Sequence, residues 1–332
     1  MEIFLAQPQD ALRDRFFPKQ LLDRLASIAA LRVNDTGRVL NGDDLARGVG
    51  GADIVIIISW AGGQLLTEDV LAGCPNLKLI AIPCGSVATT ATDAVYHRGV
   101  AVASANAVMA RYVAEGALAY MLHALRDITA LDGGVRRGEW RHGEVGSLIG
   151  ASVGLVGLGT VGRNLLDLLR PFGVTARVYD PYVNDEALTD WPFARLSTLE
   201  DTLSLSRVIS VHASKTPRTY HMLDRDRLRL IPDGALFINT ARGAVIDEAA
   251  LARELADPTR RLRAVLDVFE TEPLPPDSPL PRLDNVTLQP HTAGAVSVEH
   301  FSRAMVEEIE RFVNGKPLEY VIPYEQYSRM TR

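Results

Sequence analysis

The feature that most constrains this chain is a regular alternation of short apolar segments and helix-like segments from Gly150 onward. The apolar segments are rich in β-branched residues, which is typical of buried strands, and the stretches between them have helical spacing. Strands that alternate with helices form βαβ units with right-handed crossovers and a mainly parallel sheet. This part of the chain is therefore predicted to be an α/β domain. Its predicted strands are ASVGLVG, ARVYD, RVISVHA, ALFINTA, RAVLDVF and NVTLQP.

The first third of the chain repeats the alternation. Its predicted strands are EIFLAQ, ADIVIIIS, LKLIAI and VAVASAN, and its predicted helices are PKQLLDRLASIA and TEDVLAG. A length of 332 residues fits two domains of ordinary size. The sequence thus predicts an α/β protein with two Rossmann-like, doubly wound parallel sheets.

Two helical segments predict how the domains are connected. Residues 114–128 are apolar nearly all round, which is typical of a buried helix, and we expect the second domain to begin there. Near the other end, a helix that stops at Asn314-Gly315 can return to the first domain. Residues 1–113 and 298–332 then form one flavodoxin-like domain, and 114–297 are inserted in it. Two crossings would make a hinge over an interdomain cleft, a common place for a ligand. The apolar face of the last helix comprises Phe301, Met305, Ile309, Phe312 and Val313.

Composition excludes several classes of protein. The formal net charge of −6 argues against nucleic acid or an anionic membrane as the main partner. The longest apolar stretch, residues 52–60, is too short for a membrane span, and the first residues lack a signal-peptide pattern. Cys74 and Cys84 fit no disulfide, zinc or CxxC pattern, so no metal site is predicted. We expect a cytoplasmic protein.

A glycine-rich turn predicts a dinucleotide site. Gly157, Gly159 and Gly162 form a GxGxxG pattern between the strand ASVGLVG and a helical segment. The first glycine allows the tight turn, the second lets the backbone approach a pyrophosphate, and the third permits close packing of helix on strand. Asp180 lies 18 residues beyond Gly162 and ends the strand ARVYD. A carboxylate there accepts the ribose hydroxyls and repels a 2′-phosphate, which favours NAD over NADP as the cofactor.

Three other predicted strands lead into polar residues suited to hydride chemistry. Arg242, Glu272 and His291 each follow the carboxyl end of a predicted parallel strand, where open α/β sheets bind ligands. Oxidation of a hydroxy acid needs a base for the hydroxyl proton, a cation for the carboxylate and the reacting oxygen, and a carboxylate that orients the base. These three residues match those roles in kind.

The segment from Gly154 to Gly294 resembles the D-isomer-specific 2-hydroxyacid dehydrogenase family, which includes phosphoglycerate, glycerate and D-lactate dehydrogenases. The matching motifs, in family order, are GLVGLGTVG, VHASKTPRT, LIPDGALFINTARGAVIDEAAL, AVLDVFETEPLP and QPHTAG. The resemblance implies an NAD-dependent dehydrogenase in which residues 114–297 bind the cofactor and the other domain binds substrate. It also implies a homodimer through the cofactor domain.

Residue roles follow from the same resemblance. Arg242 would bind the substrate carboxylate and the reacting oxygen, and Glu272 would hydrogen-bond His291, the general acid/base. Glu270 is a rival to Glu272 that the family spacing rejects. Asp267 would bind the nicotinamide carboxamide. The other residues expected at the cofactor are Thr160 and Val161 at the pyrophosphate, and His212, Ala213, Thr219, Thr240, Ala241 and Gly294 along its walls.

The first domain departs from the family pattern in the loop Pro83–Thr90, which lacks the usual acidic and Asn positions. Gly85, Ser86 and Val87 are expected to present amides and a hydroxyl to a substrate carboxylate. Arg111 would add a second cation for a dianionic substrate, although a solvated Arg at a helix start explains it equally well. The histidines at 97, 123, 142, 221 and 300 show no constellation.

The physiological substrate, the direction of the reaction in the cell and the oligomeric state stay open at this point. Two alternatives also stay open: an NAD-responsive, corepressor-like binding protein on the same fold, and a dehydrogenase of a phosphonate or another oxyanion.

Overall fold

The computed structural model describes residues 1–59, 64–140 and 145–331, so His142 and the end of the apolar stretch 52–60 lie outside the described residues. The chain divides into two compact units, Met1–Ala110 with Val296–Arg332, and Arg111–Ala295. The chain leaves the first unit at residue 110 and returns to it at residue 296. Within the described residues, no helix is both long enough and apolar enough to cross a bilayer.

The first unit contains a sheet whose paired strands all run parallel. Its strands in the described residues are β1 (Glu2–Pro8), β2 (Ala30–Asn34), β3 (Ile54–Ile56), β4 (Leu79–Ile82) and β5 (Ala101–Ser104). They lie in the order β2-β1-β3-β4-β5, which is the flavodoxin-like order. Strands β1, β3 and β4 are mostly apolar and almost fully buried, as expected for a sheet covered on both faces.

The helix Glu299–Val313 belongs to this unit, where Phe301, Met305 and Ile309 are buried. It packs against the helix Lys19–Ile28, and Arg24 there forms an ion pair with Glu310 at 2.6 Å. The unit's helices are α1 (Ala11–Phe16), α2 (Lys19–Ile28), α3 (Gly42–Val49), α4 (Glu68–Ala72), α5 (Asp93–His97), the start of α6 (Asn106–Leu125), α12 (Glu299–Val313) and α13 (Tyr324–Tyr327).

The second unit has a larger parallel sheet. Its strands in the described residues are β6 (Ser152–Val156), β7 (Thr175–Tyr179), β8 (Ala194–Leu196), β9 (Val208–Val211), β10 (Leu236–Asn239), β11 (Arg263–Leu266) and β12 (Val286–Leu288). They lie in the order β12-β11-β10-β9-β6-β7-β8. The strand order reverses between β6 and β9, because the chain goes first to β7 on one side of β6 and later to β9 on the other. The carboxyl end of β6 is therefore a topological switch point, where such sheets bind ligands.

Two helix starts differ from those expected from the sequence. Helix α6 begins at Asn106, eight residues before the expected start, and buries one face rather than its whole surface. Ser197 with Glu200 three residues later is a capping-box pattern that predicts the start of the helix Leu199–Ser204. The cap lies one residue later, because the Thr198 side chain accepts a hydrogen bond from the Asp201 amide. The remaining helices are α7 (Ile128–Arg136), α8 (Thr160–Leu169), α9 (Leu199–Ser204), α10 (Arg225–Arg229) and α11 (Glu248–Ala256).

Candidate active site

The glycine-rich turn lies at the switch point, directly after β6. Gly157 has a φ of +104°, which side chains rarely adopt, and a Cβ there would lie 2.9 Å from the Ala213 amide nitrogen. At Gly162, the first turn of α8, a Cβ would lie 2.6 Å from the carbonyl oxygen of Gly157. Both glycines therefore permit close contact of backbone with backbone at this turn.

Gly159 differs from both, because a Cβ there would meet no atom within 4 Å. It is the N-cap of α8, so the open space lies beside the free amides and the positive end of that helix. Thr160 and Val161 follow in the first turn and are half-buried. A helix start with an uncovered backbone fits an anionic pyrophosphate.

Asp180 is connected to the glycine-rich turn. Its Oδ2 accepts a hydrogen bond from the Leu158 amide at 2.8 Å, and its Oδ1 accepts one from the Tyr182 amide at 2.9 Å. Each carboxylate oxygen keeps a second lone pair for a further donor. The residue is half-buried at the end of β7, next to the strand that carries the turn.

Two buried polar atoms near the ends of β9 and β10 have no hydrogen-bond partner in the part of the chain that the structure describes. They are Nδ1 of His212 and Oγ1 of Thr240. Buried polar atoms are normally paired, so both atoms have unused capacity for a bound polar group. Burial lowers the pKa of His212 to about 4, and its Nε2 lies 2.9 Å from the Ser210 hydroxyl. At neutral pH this imidazole is uncharged.

Some of the other residues expected along the cofactor form local hydrogen bonds, and others are only partly buried. The Thr219 hydroxyl donates to the Ser214 carbonyl at 2.6 Å and so closes a local turn. The Ala241 amide donates to the Asn239 side chain at 3.0 Å. Ala213 and Gly294 are half-buried. Contact of these residues with a cofactor stays a prediction.

Arg242 follows β10 on a tightly folded turn. Asn239 fixes this turn at both ends, since its side chain accepts from Ala241 and donates to the Arg242 carbonyl at 3.1 Å. The next residue must be glycine, because a Cβ on Gly243 would overlap the backbone of Phe269. Burial lowers the pKa of Arg242, and the charge of Glu272 acts in the opposite direction. The guanidinium is therefore a cation kept partly out of water near the Glu272 carboxylate.

Glu272 and His291 are in contact. The Nδ1 atom of His291 lies 2.8 Å from Oε2 of Glu272, and Oε1 of Glu272 accepts a hydrogen bond from the Phe269 amide at 3.0 Å. The backbone of His291 has a φ of +56°, a left-handed conformation that is strained for a non-glycine residue.

Glu270 has a different partner, His221, whose Nε2 lies 2.9 Å from Oε1 of Glu270. Glu270 also exchanges hydrogen bonds with the backbone of Glu248, and each carboxylate accepts from the other's amide. His221 was expected to be without a constellation; its Nε2 lies near Glu270 but has no hydrogen-bond partner among the described residues.

Asp267 holds the loop that carries His291. This carboxylate is 1% exposed and accepts hydrogen bonds from the Thr292 amide at 2.8 Å and from the Ala293 amide at 3.0 Å. Its carbonyl oxygen accepts the His291 amide at 2.8 Å. The hydroxyl of Tyr120, on α6, donates to Oδ1 at 3.0 Å. The sequence pattern missed Tyr120, because nothing local connects positions 147 residues apart.

In the first unit, the loop after β4 contains backbone amides that are available to bind a ligand. The amides of Gly85, Ser86 and Val87 donate to no acceptor among the described residues. The Ser86 hydroxyl donates to the Thr331 carbonyl at 3.0 Å, and the Val87 side chain is fully buried. Arg111 is exposed, and its guanidinium forms no ion pair with any described residue.

Comparison with known proteins decides the family. Residues 118–293 match the model described as "D-isomer specific 2-hydroxyacid dehydrogenase, NAD binding domain". The chain belongs to the D-isomer specific 2-hydroxyacid dehydrogenase family. The family resemblance and the α/β fold with two parallel sheets, both expected from the sequence, are thereby confirmed, and the matched region is the family's NAD-binding domain.

Relatives within this dehydrogenase family differ in length and in name. D-3-phosphoglycerate dehydrogenase of Mycobacterium tuberculosis is 35% identical over 297 residues, 87% of this chain and 55% of that protein. The chain thus spans about half the length of the phosphoglycerate dehydrogenases it matches. Glyoxylate reductase of Thermofilum pendens is 35% identical over 241 residues, 70% of this chain and 71% of that protein. The crystal structure of Aquifex aeolicus D-lactate dehydrogenase with NAD and lactic acid is 25% identical, with a TM-score of 0.70 over 95% of this chain and 96% of that one.

Proposed function

We propose that this chain is an NAD-dependent oxidoreductase that transfers a hydride between the nicotinamide and a small 2-hydroxy or 2-oxo acid. The observation that carries the proposal is the contact of His291 with Glu272, whose second oxygen is held by the Phe269 amide. An imidazole fixed by a carboxylate is the arrangement that general acid–base catalysis requires. A protein that only binds NAD has no need of it.

The contact with the Glu272 carboxylate determines which ring nitrogen of His291 carries a proton. A carboxylate is an acceptor, so it favours a proton on Nδ1 and leaves Nε2 as the atom that exchanges protons with substrate. During reduction of a 2-oxo acid, Nε2 donates a proton to the carbonyl oxygen, and during oxidation it takes the hydroxyl proton back. Glu272 stabilises the charged imidazolium in either direction.

Arg242 supplies the positive charge. A guanidinium presents parallel N–H donors that match a carboxylate, and its charge polarises the reacting carbonyl oxygen. Gly243 and Asn239 fix the backbone of the turn, and Nη1 of Arg242 donates to the Ala241 carbonyl at 2.6 Å, so the guanidinium is held before substrate binds. Little reorganisation is then needed at the moment of reaction.

The residues that would hold NAD are the glycine-rich turn, Asp180 and the walls formed by His212 and Thr240. The open space at Gly159 and the two unpaired buried atoms are the features that fit this cofactor. The free lone pairs of Asp180 suit ribose hydroxyls, and its charge disfavours a 2′-phosphate. When bound, NAD supplies or accepts the hydride. Asp267 keeps acceptor capacity on Oδ2 for the carboxamide.

Substrate carboxylate binding is assigned to Arg242. The amides of Gly85, Ser86 and Val87 are proposed as substrate-binding donors of the first unit. Relatives named for glyoxylate and lactic acid support small 2-oxo and 2-hydroxy acids as the class to test. Arg111 would favour a substrate with a second anionic group. If so, Arg111→Ala lowers kcat/KM for oxaloacetate much more than for pyruvate, and equal losses on both acids would discard this role.

A homodimer through the second unit is part of the proposal. Helix α7 exposes Ile128, Leu131 and Val135 on one face, and Trp140 and Ile149 beyond it are each 76% exposed. Large apolar side chains grouped on a surface are typical of interaction sites. Light scattering should give twice the chain mass for wild type, and Leu131→Glu should shift the equilibrium towards the monomer. A wild-type monomer at micromolar concentration contradicts the dimer.

The activity is tested by NADH oxidation with glyoxylate, pyruvate, hydroxypyruvate and oxaloacetate, compared between wild type and His291→Ala. Turnover that falls by at least 100-fold in His291→Ala, with NADH affinity retained, supports the proposal. His97→Ala, an exposed histidine of the first unit, is the control. NADH binding without turnover of any acid would favour the NAD-responsive binding protein, and turnover of phosphonates alone would favour the oxyanion dehydrogenase.

A further inference from the structure

The loop that carries His291 is held by hydrogen bonds to Asp267, whose carboxylate is buried. Asp267 accepts the amides of Thr292 and Ala293, and its own carbonyl accepts the amide of His291. Because the loop begins with a residue at positive φ, its conformation depends on contacts that hold it there. Asp267 therefore holds the start of the loop at His291 through its carbonyl and the next two residues through its carboxylate.

Tyr120 is the side chain from outside this region that contacts the carboxylate. Its hydroxyl lies 3.0 Å from Oδ1, the oxygen that also receives the Thr292 amide. Burial raises the pKa of Tyr120 to about 12, with smaller contributions from Thr292 and Asp267, so the hydroxyl keeps its proton at neutral pH. A buried carboxylate that loses a donor retains the cost of desolvation, and a charge-assisted bond of this kind is stronger than a neutral one.

Helix α6 approaches the same loop at a second point. Gly116, four residues before Tyr120, lies on the same face of the helix. A Cβ at Gly116 would lie 2.9 Å from the Ala293 Cα and closer still to its carbonyl oxygen. The helix backbone thus abuts Ala293 directly, and the Tyr120 hydroxyl and the Gly116 backbone contact the loop from one side.

We propose that Tyr120 is a positioning residue: its hydroxyl fixes the Asp267 carboxylate, which in turn fixes the loop that presents His291 to Glu272. The expected loss of turnover rests on the proposed function, whereas the expected loosening of the loop at residues 292–293 does not. Tyr120 is not one of the groups proposed to react, and it acts through its contacts with Asp267 and Thr292.

The test compares Tyr120→Phe, which keeps the ring and removes one hydroxyl, with Tyr324→Phe, the same change at an exposed tyrosine of the first unit. Hydrogen exchange at the Thr292 and Ala293 amides should become at least 10-fold faster in Tyr120→Phe and stay unchanged in Tyr324→Phe. In addition, kcat should fall by about 5- to 20-fold, with the Kd for NADH and the KM for the oxo acid within twofold of wild type.

Two results would overturn the proposal. One is exchange at residues 292–293 that is unchanged, or that quickens no more than exchange across the whole chain. The other is a kcat of Tyr120→Phe within twofold of an active wild type. If wild type turns over no acid, the proposed function fails while the exchange measurement still decides the role of Tyr120. Asp267→Asn, which keeps the shape but loses the charge, should quicken exchange at the same two amides.

Discussion

Glu272 holds the imidazole of His291 through a 2.8 Å contact between Oε2 and Nδ1, while the Phe269 amide holds the opposite oxygen. The carboxylate is therefore fixed from two sides, one of them the backbone that leaves β11. The next acidic residue back along the chain, Glu270, lies 2.9 Å from Nε2 of His221 instead, and no hydrogen bond joins these two side chains. Two carboxylate–imidazole pairs thus lie two residues apart in sequence, and only one of them belongs to the proposed mechanism.

This difference predicts a large loss of kcat for one of two matched substitutions and almost none for the other. Glu272→Gln removes the charge that orients and stabilises the imidazolium, so kcat should fall by about 100-fold or more while NADH affinity is retained. Glu270→Gln should leave kcat within about threefold of wild type. Steady-state NADH oxidation with the preferred oxo acid provides the measurement, and similar losses in both variants would contradict the assignment of Glu272.

The glycines of the dinucleotide turn should separate cofactor binding from folding. Gly159→Ala places a methyl group in open space, so the free energy of unfolding should change by less than about 1 kcal/mol while the Kd for NADH rises at least 10-fold. Gly162→Ala forces a methyl group against the Gly157 carbonyl and should lower stability by roughly 1–3 kcal/mol. Urea unfolding and NADH fluorescence titration measure the two effects. Unchanged NADH affinity in Gly159→Ala would remove this turn from the cofactor site.

Cofactor choice should depend on Asp180. Asp180→Asn removes the charge that opposes a 2′-phosphate and weakens the acceptors for the ribose hydroxyls, so the ratio of NADH to NADPH affinity should fall by at least 10-fold. Asp185→Asn, an exposed neighbour, is the control. Fluorescence titration with both cofactors gives the ratio. If both affinities fall by the same factor, Asp180 only supports the turn through its contact with Leu158.

Acid stability should depend on His212. The unfolded chain protonates this histidine near 6.5, whereas burial lowers its pKa in the folded chain to about 4. The unfolded state therefore binds more protons between these values, and the free energy of unfolding falls as the pH drops from 6.5 to 4, by roughly 3 kcal/mol. His212→Asn removes this contribution, so its free energy of unfolding should fall less steeply than that of wild type over the same range. Parallel pH dependences in the two proteins would contradict the burial of an uncharged imidazole.

Much of the fold follows from local patterns in the sequence. The strands that carry the proposed cofactor and catalytic residues lie where the apolar runs predict them, because buried parallel strands leave a continuous apolar signature. Strand β2 was missed because Ala30–Asn34 is mostly exposed, and Arg32 and Asn34 interrupt the continuous apolar run that marks a buried strand. The start of α9 was misplaced by one residue, since Ser197-Thr198 offers two equivalent caps and only the backbone path selects between them.

The candidate site was predictable in its residues but not in their connections. Arg242, Glu272 and His291 stand in motifs that the sequence displays. Family spacing rather than physics rejected Glu270, and the structure adds that this residue is paired with His221. The contact of Tyr120 with Asp267 depends on how α6 packs against the β11 and β12 loops, and no pattern along the chain encodes it.

Direct transfer of hydrogen is the most decisive measurement. Wild type is incubated with excess glyoxylate or pyruvate and with NADH deuterated at C4 of the nicotinamide, each C4 epimer in turn, and the hydroxy acid is analysed by mass spectrometry and proton NMR. We predict one deuterium on C2 of the product from one epimer only, and product formation at least 100-fold slower in His291→Ala. If wild type binds NADH yet yields no deuterated hydroxy acid from any 2-oxo acid offered, hydride transfer is not the function of this chain.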